Sequence, residues 1–93
     1  MLTSYSKAAL MQDIEQLPAN YIDDLHIQIG KNVKKRREEN GLTQLQLSQA
    51  IGHKSVTIIS RAEIYYKEQH FNIEHLAKIA YILDVDICDF LGN

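Results

Sequence analysis

The sequence predicts an all-α domain. Three observations carry that expectation. One proline and four glycines in 93 residues are too few turn formers for the many short strands of an all-β fold. Apolar residues recur at steps of three and four, the stripe of an amphipathic helix. Cap-forming polar residues precede several of those stripes, and glycines follow two of them. With 45% hydrophobic residues the chain can fill one core, but it is too short to bury two.

The elements follow in order. Residues 5–17 form a weaker amphipathic segment through Leu10, Ile14 and Leu17, ended by Pro18. From Ile22 the positions Leu25, Ile29 and Val33 mark a helix reaching about Asn40, with Gly41 as a left-handed C-cap. Gly30 argues against its being continuous, since glycine inside a helix costs about 1 kcal/mol relative to alanine. Thr43 and Gln46 have the spacing of a capping box, opening a short helix whose buried face is Leu47, Ala50 and Ile51 and which Gly52 closes. After the turn His53-Lys54, Ser55 is an N-cap for a third helix over residues 56–64. Asn72 caps a fourth, with Ile73, Leu76, Ile79, Ala80 and Leu83 in line, and Asp86 a short fifth, with Ile87, Phe90 and Leu91 inward. The chain divides into a helical N-terminal extension, 1–28, and a main domain, 29–93.

The net charge of −2 hides a gradient. Residues 1–30 net −3, residues 31–78 net +4 and the last fifteen −3, so the middle of the chain is the part suited to a polyanion. Much of that charge is the run Lys31, Lys34, Lys35, Arg36, Arg37, read mainly as a solvated helix face. The single cysteine excludes an internal disulfide and fits a reducing, cytoplasmic setting; Cys88 reads as a small buried thiol. No segment reads as a membrane span or a signal peptide. His26, His53, His70 and His75 make no ligand set, and no catalytic constellation or phosphate loop stands out. Neither enzymatic activity, a metal nor a cofactor is expected.

Two short helices joined by a glycine turn form a helix-turn-helix pattern. Four strings extend it: Ile29-Gly30-x-x-Val33-x-x-x-Arg37; Gly41-Leu42-Thr43-Gln44-x-x-Leu47-Ser48-x-x-Ile51-Gly52; Ile59-Ser60-Arg61-Ala62-Glu63; and Leu76-Ala77-x-Ile79-Ala80-x-x-Leu83-x-Val85-x-x-x-x-Phe90-Leu91. Each alone is weak, but four in order with compatible spacing are specific. Residues 29–91 resemble the lambda-repressor-like, Xre/Cro-type DNA-binding family.

The resemblance implies a five-helix domain, here with an extra helical N-terminal arm, whose third helix enters the major groove of double-stranded DNA. If Ile59, Ala62 and Glu63 face the core, then Val56, Thr57, Ser60 and Arg61 point outward as base contacts. Arg61 can grip guanine O6 and N7 together, and Val56 can pack on a thymine methyl. Gln44, Lys54 and Lys67 are the expected phosphate contacts, while Arg37 and Glu63 match positions that pair between the first and third helices. Ser48 and Gly52 are expected to be small so that the second and third helices can cross closely. The turn His53-Lys54-Ser55 is one residue longer than the shortest family form, which leaves a register with Ile58 buried open. Ile64-Tyr65-Tyr66 stands where the family usually has a glycine, so a longer third helix is expected.

By this reading the chain is a cytoplasmic, sequence-specific transcriptional regulator, a repressor rather than an activator, binding a pseudo-palindromic operator as a homodimer. The alternative is an antitoxin that neutralises a partner protein and represses its own operon; a more distant one is an interaction module without DNA binding. Tyr5, Leu10, Ile14, Leu17, Tyr21, Ile22 and Leu25 carry more apolar surface than an arm needs, and Leu45 is a further apolar residue at a position that the resemblance implies is exposed. Either the arm folds back on its own domain, or it builds the dimer or docks a partner protein. Phe90 and Leu91 offer a rival dimer surface.

Overall fold

The computed structural model describes residues 11–92. Among them are four α-helices and no strand: α1 (Tyr21–Glu39), α2 (Gln44–Ala50), α3 (Thr57–Glu63) and α4 (Ile73–Leu83). Short 3-10 turns lie at Ile14–Gln16, Tyr66–Glu68 and Ile87–Phe90. The expected count of five helices is corrected to four. Asp86 does cap the last segment, accepting from the Cys88 amide at 2.8 Å, but the four residues it starts make only a 3-10 turn.

The N-terminal helix is also revised. Tyr5 and Leu10 lie outside the described residues, and among those described the segment holds a single 3-10 turn with Asp13 as its cap. Ile14 and Leu17, read as its apolar face, are exposed, as is every residue from 11 to 20. A stripe with no surface to pack on does not sustain a helix, because tertiary contact supplies most of a short helix's stability.

Helix α1 runs unbroken through Gly30 for 19 residues. The reason is a close approach: a Cβ on Gly30 would stand 2.6 Å from the Glu63 carbonyl oxygen and 2.7 Å from that of Ala62. Only a residue without a side chain lets α1 lie against the C-terminal end of α3, so the contact outweighs the lost helix propensity.

Both ends of α2 are fixed locally. Thr43 Oγ1 accepts from the Gln46 amide at 3.0 Å, and Gln46 Oε1 accepts from the Thr43 amide at 2.9 Å. At the other end Gly52 takes a left-handed φ of +95° and the His53 amide returns to the Ser48 carbonyl at 3.0 Å. Nothing lies within 4 Å of a Cβ built on Gly52, so the turn needs its conformation and not its size, contrary to one expectation. Ser48 is buried and its hydroxyl donates to the Ser55 carbonyl, tying α2 to the start of α3. Ala50, expected inward, is exposed.

Helix α4 begins in a second capping box: Asn72 Oδ1 accepts from the His75 amide at 2.7 Å, and His75 Nδ1 from the Asn72 amide at 3.2 Å. Leu76, Ile79, Ala80 and Leu83 join Ile29, Val33, Leu47, Ile51, Ile59, Ala62, Phe71 and Phe90 in one core. Ile73 and Leu91 were expected inward and are not, being 71% and 48% exposed. Cys88 is likewise exposed and not buried, because its neighbours Ile87 and Phe90 take the inward positions of the turn. Asn32 Nδ2 donates to the Phe90 carbonyl at 2.9 Å and holds the C-terminal turn on α1.

Candidate nucleic-acid interface

Ile59, Ala62 and Glu63 are buried, and Ile58 is half-buried against the rim of the core. The opposite side of α3 carries exposed Val56 and Arg61 with half-buried Thr57 and Ser60. Val56 already has helical angles, and Ser55 acts as the cap, its Oγ accepting from the Thr57 amide at 3.1 Å. The same Ser55 hydroxyl donates to Thr57 Oγ1 at 2.8 Å, leaving the Thr57 proton free to donate outward. Ser60 turns its hydroxyl back to the Thr57 carbonyl at 3.4 Å.

A charged junction sets this face. Arg37 Nε donates to Glu63 Oε2 at 2.7 Å and Arg37 Nη2 to Glu63 Oε1 at 3.1 Å, a two-pronged pair buried on both sides. Arg37 Nη1 reaches the Leu42 carbonyl at 2.7 Å, and Gln44 Nε2 donates to Glu63 Oε1 at 2.9 Å. The hydrogen bonds that Arg37 donates to Glu63 raise the Arg37 pKa further above its ordinary value, outweighing the cost of burial. Gln44 therefore spends one amide proton inside the protein, and the rest of its half-buried side chain stands at the N-terminus of α2.

Lys54 is exposed in the turn before α3 and Lys67 in the loop after it. Lys31, Lys34 and Lys35 are exposed along α1, while Arg36 is half-buried and pairs with Asp89 at 3.4 Å. Helix α3 does not run on past Glu63, as the missing glycine had suggested. Tyr65 takes the left-handed cap conformation itself, at φ 56°. Its hydroxyl donates to Asp23 Oδ1 at 2.7 Å and its ring stacks on His26, so contacts to α1 hold a conformation that a side chain disfavours. Beyond it, Arg61 and Lys67 both lie over the ring of Tyr66, a residue that sequence reasoning passed over. The available signal was an aromatic residue beside one exposed cation and five positions from another.

A family model described as helix-turn-helix (HTH_3) matches residues 33–90, more than half of the chain and from the middle of α1 to the final turn. The chain belongs to the lambda-repressor-like helix-turn-helix family. No curated protein matches it by sequence. This helix-turn-helix family is one of DNA-binding transcription regulators, generally without enzymatic activity, and the chain is a DNA-binding regulator of that kind. No described helix of this family member is long and apolar enough to cross a membrane. Among the described residues no three histidine, cysteine or acidic side chains gather as a metal site. Met11, Ile14, Leu17, Tyr21, Ile22 and Leu25, all exposed, precede the stretch matched to the family.

Proposed function

We propose that this helix-turn-helix protein is a repressor that occupies a pseudo-palindromic operator as a homodimer in the cytoplasm. Helix α3 lies in the major groove, with Arg61, Thr57, Val56 and Ser60 on base edges and Gln44, Lys54 and Lys67 on phosphates. Arg37 and Glu63 form the frame that sets the tilt of α3. The observation that carries this reading is the two-sidedness of α3: Ile59, Ala62 and Glu63 are buried, so the polar side and Arg61 are left facing outward. Lys54 and Lys67 flank that side at its two ends.

One α3 reads too few base pairs alone, and a twofold pair doubles the site. The exposed Tyr21, Ile22 and Leu25 at the start of α1, with Ile14 and Leu17 ahead of them, supply apolar surface for the pairing. In this division residues 1–28 mediate assembly and 29–93 read DNA. The same apolar surface supports a second reading, an antitoxin whose extension holds a partner protein. Co-purification separates the two: the antitoxin comes out of its own cells bound to a second small protein, and the stand-alone repressor does not.

The direct test is fluorescence anisotropy on a duplex selected by the protein from a random pool, across a salt series. Arg61→Ala is expected to cost about 1–3 kcal/mol on the selected duplex and little on random DNA. Lys54→Ala and Lys67→Ala each lower the salt slope by about one per protomer, so about two for the dimer, while sparing the sequence preference. Equal, salt-insensitive affinity for selected and random duplexes would sink the reading.

A further inference from the structure

We infer that Tyr66 is a positioning residue for DNA recognition, holding the side chains of Arg61 and Lys67 in place before DNA arrives. The inference rests on the reading of α3 as the recognition helix. The Arg61 guanidinium carbon lies 5.5 Å from the centre of the Tyr66 ring and the Lys67 ammonium 5.4 Å, both within cation–π range. No core contact explains the ring, which is 43% exposed, and its hydroxyl makes no hydrogen bond among the described residues. What the ring has for company is two cations.

The backbone around Tyr66 is set unusually. Tyr65, Lys67 and Glu68 all have left-handed φ values, 56°, 49° and 64°, none of them glycine. Such conformations persist where surrounding contacts over-determine them. Here Tyr65 is anchored to Asp23 and stacked on His26, and the Glu68 carbonyl is within 3.1 Å of His70 Nδ1. The loop is pinned on both sides of Tyr66, and the ring is thereby presented between the end of α3 and Lys67.

Two long, flexible side chains lose rotamer freedom when they engage DNA, and that loss weakens binding. A ring that already restricts both reduces the loss. It also holds the two like charges against one electron-rich ring, with Arg61 at the end of α3 and Lys67 beyond it. A phenylalanine supplies the same face; a leucine fills similar space without it.

The experiment compares Tyr66→Phe and Tyr66→Leu in two measurements on the full chain. In the free protein, proton NMR should find the Arg61 δ-methylene and Lys67 ε-methylene shifted upfield by the ring in wild type and Tyr66→Phe, and not in Tyr66→Leu. By anisotropy, Tyr66→Leu should bind the selected duplex about two- to fivefold more weakly, the size of one exposed cation–π contact. Tyr66→Phe should match wild type within twofold, and Tyr66→Leu should lose its effect on sequence preference in an Arg61→Ala background.

Absent ring shifts in wild type overturn the inference at once, without reference to DNA. Equal losses for Phe and Leu overturn it too, pointing to the hydroxyl, and so does an unchanged Leu variant or a loss that adds fully to that of Arg61→Ala. If Arg61→Ala itself leaves sequence preference intact, the assignment of α3 fails and takes the role of Tyr66 with it. If Arg61→Ala abolishes preference and Tyr66→Leu does not touch it, only the Tyr66 inference falls.

Discussion

Gln44 Nε2 donates at 2.9 Å to Glu63 Oε1, the oxygen that also receives Arg37 Nη2 at 3.1 Å. The first residue of α2 and the last of α3 thus share one buried carboxylate with α1. Replacing Arg37 by methionine leaves that carboxylate without its countercharge, and a loss of about 3–5 kcal/mol is expected. Adding Glu63→Leu should restore a large part of it, since the orphaned charge is then gone. Gln44→Ala costs about 1 kcal/mol, the net value of one hydrogen bond. Urea unfolding followed by circular dichroism measures all three.

Gly30→Ala improves local helix propensity by about 1 kcal/mol and is nevertheless expected to destabilise. The new methyl would stand 2.6 Å from a backbone oxygen of Glu63, which cannot rotate away as a side chain would. Forced separation of α1 from α3 costs about 1–3 kcal/mol. A raised unfolding midpoint in Gly30→Ala would refute the close approach.

The hydrogen bond to Asp23, followed by partial burial and the negative charges of Asp23 and Glu68, pushes the Tyr65 phenol up to about 12. Asp23→Asn removes the principal charge and should return the Tyr65 titration toward about 10, the ordinary tyrosine value. A residue-resolved alkaline titration by NMR checks it. No change would mean that the Tyr65–Asp23 contact is not made in solution.

Burial first, then the neighbouring imidazole of His70, holds His26 below the usual 6.5, although Asp23 opposes the shift. Its stacked partner is centred 3.8 Å away, and His26 Nδ1 is buried without a hydrogen bond. Burial and then His53 lower His75 in the same way, with Lys78 and His70 assisting and Glu74 opposing. The fold favours both neutral rings. Their contribution is therefore complete above the unfolded value of about 6.5 and is lost as pH falls through the lower folded values. Urea midpoints between pH 7.5 and 5 should fall with acidification. His26→Phe keeps the stack and His75→Gln keeps a capping acceptor, so the double variant should flatten that fall.

What the sequence revealed and what it concealed divide by the range of the interaction. The capping boxes of Thr43 with Gln46 and Asn72 with His75 were legible, or half so, because both partners lie within one turn. The burial of Ile59, Ala62 and Glu63 followed from family spacing. Gly30 misled because its reason sits on another helix. Tyr65 misled for a similar reason: propensity argues against a left-handed tyrosine, and the Asp23 that holds it comes from the start of α1. At the C-terminus the apolar pattern of Ile87, Phe90 and Leu91 looked helical, but four residues hydrogen-bonded as a 3-10 turn satisfy the core through Phe90, with Ile87 packed at its edge and Leu91 left outside.

Helices α2 and α3 are seven residues each, well under the length at which a helix persists unaided. The helix-turn-helix of this DNA-binding protein therefore has no shape of its own and borrows it from the core beneath. Substitutions such as Leu47→Ala or Val33→Ala, at fully buried positions, would lower DNA occupancy simply by shrinking the folded fraction. In a mutant screen scored by loss of DNA binding, temperature-sensitive alleles should concentrate in the interior, and, on the proposed reading of α3, alleles defective at every temperature on its outward side.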